Sequence, residues 1–151
     1  MHTEKASNKV FLDTNVLIYQ TFIDFDAGKH ETVNNKFDYF IDNDYSILIS
    51  SQILREFFAI STNGKFFHKP LSYEQAVIKV NEFIENFEMV YETVNTISIL
   101  NSLIIKYKQD KQKVYDTNIV ATMIENKIDK LFTFNIKDFK KFSEIELIDF
   151  V

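Results

Sequence analysis

The sequence predicts an α/β fold in which helices cover both faces of a mostly parallel, roughly five-stranded sheet. Five short apolar runs of about strand length recur along the 151 residues. Three of the four intervals between these runs carry apolar residues at helical spacing. Strands that alternate with helices are typical of βαβ units and of a parallel sheet. The length predicts a single domain over residues 1–151, since domains average about 150 residues.

Each predicted strand is a short run of apolar and β-branched residues, at 10–12, 47–49, 89–91, 130–133 and 146–148. A first helix is expected near Val16, and Ser72 with Gln75 predicts a capping box at the start of a later one. The loop 63–71 contains the single proline. The apolar stripes that predict helices are Val33, Phe37, Phe40 and Ile41; Ile53, Phe57 and Ile60; Val77, Val80 and Ile84; Ile97, Leu100, Leu103 and Ile104; and Ile119, Val120, Met123 and Ile124.

The composition excludes several classes of protein. With two glycines and one proline, the chain is neither a low-complexity sequence nor a carrier of a glycine-rich phosphate loop. The absence of cysteine excludes disulfides, cysteine zinc sites and thiol catalysis. Residues 1–8 form a polar N-terminal extension, and no apolar run reaches the roughly 20 residues that a membrane span needs. The expectation is therefore a cytoplasmic protein with no membrane contact.

The net charge of −5 argues against a passive nucleic-acid coat, which is normally basic. It is compatible with an enzyme whose carboxylates hold metal ions, because such ions change the local charge. Of the 17 basic residues only Arg55 is an arginine, so phosphate contacts would come mainly from lysine. The basic stretch 106–113 is interpreted either as a solvated helix end and connector or as a rim that faces a substrate.

Acidic residues recur where the predicted strands end or a helix begins. Asp13 follows the first strand, Glu56 lies one turn into the helix after the second, and Asp116 opens a helix before the fourth. Asn135 and Asp138 follow the fourth strand. Each residue also has a purely structural interpretation, because helix starts favour acids and a surface glutamate is usually solvated or paired with lysine.

Taken together, these acids predict a metal site. A parallel sheet brings the carboxyl ends of its strands to one edge, where ligands bind. Several carboxylates without histidine or cysteine would repel one another there unless cations were present, and oxygen-only ligands suit Mg²⁺ or Mn²⁺. Such ions activate water and promote phosphoryl displacement, which is the chemistry of a metal-dependent phosphodiesterase or nuclease.

The ordered segments also resemble a known family. FLDTNVLIY at 11–19, SSQILREFFAI at 50–60, YDTNIVATMIENKIDKLFTFNIKDF at 115–139 and the closing strand near 146–148 are similar to PIN-domain proteins, in particular the VapC-type toxin ribonucleases of toxin–antitoxin pairs. The resemblance runs from about residue 9 to the C-terminus. It implies a PIN-like three-layer α/β/α sandwich around the predicted sheet.

The resemblance also implies roles for individual residues. Asp13, Glu56 and Asp116 match the acidic catalytic and metal-binding positions of the family. At the fourth acidic position the family often has aspartate where this chain has Asn135, and Asp138 lies one helical turn further on as a substitute. A neutral ligand would bind a second metal more weakly. The small polar residues that match supporting positions are Thr14, Asn15, Ser51 and Thr133.

The function implied by the resemblance is a Mg²⁺- or Mn²⁺-dependent endoribonuclease that is silenced by an antitoxin protein and forms a homodimer. A second hypothesis is a PIN-like module with weakened or lost chemistry that binds protein or RNA. Asn135 motivates it, and Phe66 and Phe67 would form a docking surface. A phosphatase of the haloacid-dehalogenase kind would need a second aspartate where Asn15 stands. A serine or cysteine hydrolase lacks its motif.

Overall fold

The computed structural model describes residues 8–150, and within them the chain forms five strands and seven helices. The strands are β1 Lys9–Leu12, β2 Ser46–Ser50, β3 Glu88–Val90, β4 Lys130–Phe132 and β5 Glu146–Leu147. The helices are α1 Thr14–Thr21, α2 Ala27–Asp42, α3 Ser51–Ser61, α4 Tyr73–Asn86, α5 Val94–Tyr107, α6 Lys113–Glu125 and α7 Ile136–Phe139. All five predicted strands are therefore confirmed.

The five strands form one sheet in the order β3-β2-β1-β4-β5, and every neighbouring pair is parallel. The central strand β1 places Phe11 opposite Leu48 on one side and Leu131 on the other. A parallel strand that is covered on both faces must be apolar on both, which explains why Val10 and Leu12 are fully buried as well. The predicted α/β fold with a parallel sheet is confirmed.

The strand order places the helices in two layers. The chain runs outward from β1 through β2 to β3, and then crosses back to β4 and β5. Because βαβ crossovers are right-handed, this reversal sends α5 and α6 to the face opposite α1–α4. Accordingly α1 packs on α2 and α3, α3 packs on α4, and α5 packs on α6. The direction of winding changes between β1 and β4, and ligands bind at such a point outside the carboxyl ends of the strands.

The predicted helices exist, but some of their buried faces were wrongly predicted. The capping box of Ser72 and Gln75 opens α4 as expected. Val77 and Ile84, however, are 47% and 46% exposed, and the buried face of α4 contains Phe83 instead. The Phe83 ring packs edge-on against Phe57 of α3 at 5.0 Å. Burial of this larger aromatic side chain sets the rotation of the helix.

Two other predicted stripes are narrower than expected. Ile41 and Ile97 are 67% and 58% exposed, whereas Phe37 and Phe40 of the α2 stripe and Leu103 of the α5 stripe are buried. The stretch 106–113 forms the end of α5 and the connector to α6, which is the first of its two interpretations. There α5 ends at Tyr107 and Lys106 pairs with Glu144 at 2.9 Å.

Residues 1–7 of the predicted polar extension lie outside the described residues, and Asn8 donates a hydrogen bond to the Asn43 carbonyl oxygen at 3.2 Å. The single domain over 1–151 stays a prediction. Over the part of the chain that the structure describes, no helix is both long enough and apolar enough to cross a membrane.

Candidate active site

Asp13 lies at the carboxyl end of β1 and is the N-cap of α1. Its carboxylate accepts hydrogen bonds from the Thr14 backbone N–H at 2.8 Å and from the Thr133 hydroxyl at 2.7 Å. Its own N–H donates to the Phe132 carbonyl oxygen of β4 at 3.0 Å. Because it directly follows the fully buried residues Val10, Phe11 and Leu12, Asp13 is only 6% exposed. The Asp13 carboxylate therefore caps α1 and also lies at the edge of the sheet where the site is predicted.

Asn15 and Thr133 hold this carboxylate from the β4 side. The Asn15 amide donates to the Asp13 carboxylate at 3.3 Å, and its carbonyl oxygen accepts the Phe134 N–H at 3.2 Å. The Thr133 hydroxyl, which donates to Asp13, accepts the Asn135 N–H at 2.9 Å. The end of β4 and the start of α1 are thus joined through polar side chains at the point where the winding of the sheet reverses.

Glu56 is half-buried on α3 and points toward the start of α1. Its carboxylate accepts the Thr14 hydroxyl at 2.6 Å and the Gln52 amide at 3.0 Å. The same amide donates to the Tyr115 carbonyl oxygen at 2.9 Å, and the Asn118 amide donates to the Gln52 oxygen at 2.8 Å. This partly buried bridge connects α3 to the first turns of α6.

Gln52 and Asn118 were not predicted as site residues. The signal for Gln52 was present, since it precedes Glu56 by four residues, and side chains at that spacing meet on one helix face. Asn118 follows Asp116 by two residues within the same helix, but nothing in the sequence indicates that its partner is on α3.

The other predicted site residues differ in their accessibility. Asp116 is half-buried in the first turn of α6. Asp138 in α7 and Asn135, the N-cap of α7, are exposed. Ser51 is exposed as the first residue of α3 and makes no hydrogen bond to these acids among the described residues. The geometry thus brings Asp13 and Glu56 together around Thr14 and leaves Ser51 apart.

Burial raises the pKa of Asp13 from 3.8 to about 6. The hydrogen bonds from Thr133 and from the Thr14 backbone lower that pKa, and the negative charges of Glu56 and Asp138 raise it further. The supporting hydroxyl therefore only partly offsets the cost of an ionised carboxylate at this buried position.

Burial likewise raises the pKa of Asp116, from 3.8 to about 7. The charges of Asp13, Asp138 and Glu56 add to the increase, in that order, while Lys141 lowers it. All four acids lie near enough to affect one another electrostatically. None of them forms an ion pair with a lysine or arginine within the described residues.

The acids share one neighbourhood, but over residues 8–150 no three His, Cys, Asp or Glu side chains are arranged so that they could hold a metal ion. Both oxygens of Glu56 are directed at Thr14 and Gln52. The donor chemistry nevertheless fits a hard divalent cation, because the acids offer only oxygen ligands and a positive charge would relieve their mutual repulsion.

A family model for the PIN domain matches residues 10–145 of the chain. Since this range covers most of the sequence, the chain belongs to the PIN-domain family. The predicted resemblance is thereby confirmed. No curated protein sequence matches the chain.

Solved structures with the same fold include toxin–antitoxin proteins. VapBC2 from Rickettsia felis, bound to a promoter DNA fragment, has a TM-score of 0.69 and 22% identity over 93% of this chain and 97% of that chain. VapBC from Salmonella typhimurium, bound to DNA, has a TM-score of 0.66 and 23% identity over 95% and 98%. VapC20 from Mycobacterium tuberculosis has a TM-score of 0.61 and 14% identity over 90% and 98%. The predicted sandwich is therefore confirmed by the neighbouring structures.

Proposed function

We propose that the chain is a cytoplasmic endoribonuclease that depends on Mg²⁺ or Mn²⁺ and acts as the toxin of a toxin–antitoxin pair. The observation that carries this proposal is that Asp13 and Glu56 lie together around Thr14, near the point where the sheet reverses its winding, and that their charges reach Asp116. Burial, and after it the charges of these acids together with that of Asp138, raises the pKa values of Asp13 and Asp116. Burial of unpaired acids costs folding free energy, and such an arrangement is typical of functional sites.

Asp13, Glu56 and Asp116 would hold the cation, with Asp138 and the Asn135 carbonyl oxygen at the open rim. When bound there, a divalent cation supplies Lewis acidity toward the phosphodiester and activates water for hydrolysis. The chain itself positions the ligands. Thr133 and Asn15 fix the orientation of the Asp13 carboxylate, and the exposed rim leaves access for an RNA strand.

Among the similar structures are VapBC complexes, which contain a toxin and an antitoxin, and VapC20 is described as a toxin that cleaves the Sarcin-Ricin loop. By analogy, we infer an antitoxin protein as the partner and RNA as the substrate. The test for the partner is purification of the chain with the product of a neighbouring gene, where one is present, and loss of RNA cleavage in that complex.

We also propose a homodimer, and exposed apolar side chains on two helices support it. Ile78 on α4 is 61% exposed, and Val94 and Ile105 on α5 are 84% and 79% exposed. Exposed apolar side chains on one side of a helix are typical of an interaction site, and Val94 and Ile105, which are eleven residues or about three turns apart, lie on the same side of α5. Light scattering on the purified chain should give about twice the mass of one chain, and the monomer mass would contradict a stable dimer.

The nuclease is tested by incubating total RNA with wild type, Asp13→Ala and Asp116→Ala in Mg²⁺, Mn²⁺ or excess chelator. We expect cleavage by wild type only with metal, and a loss of at least about 100-fold in each variant, because metal ligands matter more than the outer residues that cost 10–100-fold. Glu125→Ala, which removes a carboxylate outside the site, should cleave like wild type. A folded wild type that cleaves no RNA with either metal would contradict the proposal.

The same experiment distinguishes a second candidate function, a PIN-like module that binds RNA or protein without cleavage. Two observations favour it: an amide, Asn135, stands at the rim, and the acids do not form a closed metal cage within the described residues. Metal-independent RNA binding without cleavage would support the module, whereas cleavage lost in Asp13→Ala and Asp116→Ala would exclude it.

A further inference from the structure

An aromatic cleft with a volume of about 640 Å³ lies between the end of α1 and the loop 63–71. Phe67 forms its floor, since it is buried at 6% exposure and stacks on Phe22 with ring centroids 3.8 Å apart. Phe25 and Phe66 line the cleft and are 51% and 56% exposed. The expectation that both Phe66 and Phe67 would be accessible is therefore wrong for Phe67, whose ring is needed to pack the loop onto α1.

The loop that forms one wall is basic in an acidic protein. Residues 65–69 read Lys-Phe-Phe-His-Lys, and residues 63–71 contain no acid, although the whole chain has a net charge of −5. Lys65, His68 and Lys69 are exposed, and neither lysine takes part in an ion pair between described residues. Lys69 lines the cleft opposite Asp24, and Lys65 lies beside it in the same loop, next to Phe66, so the loop brings two lysines to this edge against one aspartate.

A row of ring contacts connects the cleft to the candidate active site. Phe134 directly follows Thr133, whose hydroxyl donates to Asp13, and its ring meets Tyr19 edge-on at 5.0 Å. Tyr19 in turn stacks on Phe25 at 5.9 Å. A continuous row of contacting aromatic rings therefore leads from the cleft to the acids.

A cation also lies along this row. The Lys29 ammonium group is 4.8 Å from the centre of the Tyr19 ring and 5.7 Å from that of Phe134. Exposed ring faces flanked by lysines are the combination with which proteins bind single strands, because bases stack on the rings and phosphates pair with the cations. The flanking lysines would gain no ion pair from an apolar peptide, whereas they can pair with the phosphates of a nucleic acid.

We propose that the aromatic cleft is a base-binding subsite for single-stranded RNA. Nucleotides beyond the scissile bond stack on Phe66 and Phe25, while Lys65 and Lys69 bind the adjoining phosphates. The subsite extends the proposed nuclease function and rests on it for the identity of the strand as a substrate. It selects strands with unpaired bases, since bases within a duplex do not expose their faces.

The test measures binding of a single-stranded RNA of about 12 nucleotides, a length within the range of known single-strand sites. The RNA carries the fluorescent base 2-aminopurine, which is quenched when it stacks, and excess chelator prevents metal-dependent cleavage. Phe66→Ala should weaken binding about tenfold and reduce the quenching, because loss of one stacked base has an effect of this order. Phe66→Tyr, which keeps the ring, should bind like wild type.

Phe66 suits this test because it is exposed and makes no ring contact among the described residues, so its loss should not disturb the fold. Tyr73→Ala is the matched control, since Tyr73 is 76% exposed on α4 and does not line the cleft. Lys69→Ala should lower the slope of log affinity against log salt by about 0.7, the value for one phosphate contact on a single strand. Phe66→Ala should leave that slope unchanged.

The proposal is overturned if wild type does not bind the RNA, if Phe66→Ala binds as well as wild type, or if Tyr73→Ala loses as much affinity. Binding of an apolar peptide in the cleft together with RNA binding unaffected by Phe66→Ala would also overturn it. Failure of the nuclease proposal is separate, because it is measured by cleavage in the presence of metal. If wild type cleaves no RNA but Phe66→Ala still loses affinity, the result supports the RNA-binding subsite and contradicts the nuclease.

Discussion

Two carboxylates of this protein accept hydrogen bonds from threonine hydroxyls and yet have opposite shifts in pKa. Glu125, at the end of α6, accepts from Thr93 and Thr96, and these hydrogen bonds lower its pKa. Asp13 accepts from Thr133 in the same way, but its pKa is raised to about 6. The hydroxyl contacts alone therefore do not determine the charge of a carboxylate.

Burial and neighbouring charge account for the difference. Asp13 is 6% exposed and lies near the negative charges of Glu56 and Asp138, whereas Glu125 is partly exposed and its shift is caused mainly by hydroxyl donors. The Glu125 arrangement stabilises a helix junction. The Asp13 arrangement has a cost in folding free energy that a bound cation would remove, which is why we place function there.

The largest expected difference between the two regions is in RNA cleavage by Thr133→Val and Thr96→Val. Both threonines are buried, so the two substitutions are matched in their effect on packing. Thr133→Val removes a donor to Asp13 and should lower metal affinity or cleavage by about 10–100-fold, as expected for a residue that orients a metal ligand. Thr96→Val should stay within about twofold of wild type. Equal losses of RNA cleavage in the two variants would contradict the proposed difference between Asp13 and Glu125.

A second, smaller difference is expected in stability at pH 8 with chelator present. The pKa of Asp13 is raised from 3.8 to about 6 by folding, so its contribution favours the folded state at low pH and is lost as the pH rises through 6. Asp13→Asn should therefore raise the free energy of unfolding at pH 8 by on the order of 3 kcal/mol, several degrees in Tm. At pH 4 the gain should disappear.

Glu125→Gln is the control for this measurement. Because the pKa of Glu125 is lowered in the folded state, its charge favours folding at pH 8, and its neutralisation should not raise Tm. Thermal unfolding at pH 4, 6 and 8 separates the two cases. A Tm that falls in Asp13→Asn, or rises equally in both variants, would show that the burial of Asp13 carries no electrostatic cost.

The order of strands and helices could be predicted because a parallel sheet leaves a strong pattern in the sequence. A strand that is buried on both faces, such as β1 with Phe11 at its centre, is a continuous apolar run. The rotation of helices on the sheet was harder to predict. In α4 the predicted stripe was Val77, Val80 and Ile84, and the contact between Phe83 and Phe57 of α3 turns the helix so that Phe83 is buried and Val77 is not.

The candidate site was likewise predictable only in part. Asp13 was predictable because parallel strands end at one edge, so a polar residue directly after a buried strand faces the crevice. The bridge from Gln52 to Asn118 was not, since these residues are 66 positions apart and meet only where the first turns of α3 and α6 approach each other at the carboxyl edge of the sheet. Long-range pairs of neutral side chains leave no spacing that a single sequence reveals.

Calorimetric titration of Mn²⁺ at pH 6.5 tests the central claim, that the acids at the carboxyl edge of the sheet bind a divalent cation. The measurement uses two buffers that differ in ionisation enthalpy. Because the pKa values of Asp13 and Asp116 are about 6 and 7, binding should release protons, and the observed heat should depend on the buffer. Binding should be lost in Asp116→Asn and kept in Glu125→Gln. Undetectable binding by wild type, or equal affinity in Asp116→Asn, would contradict the claim.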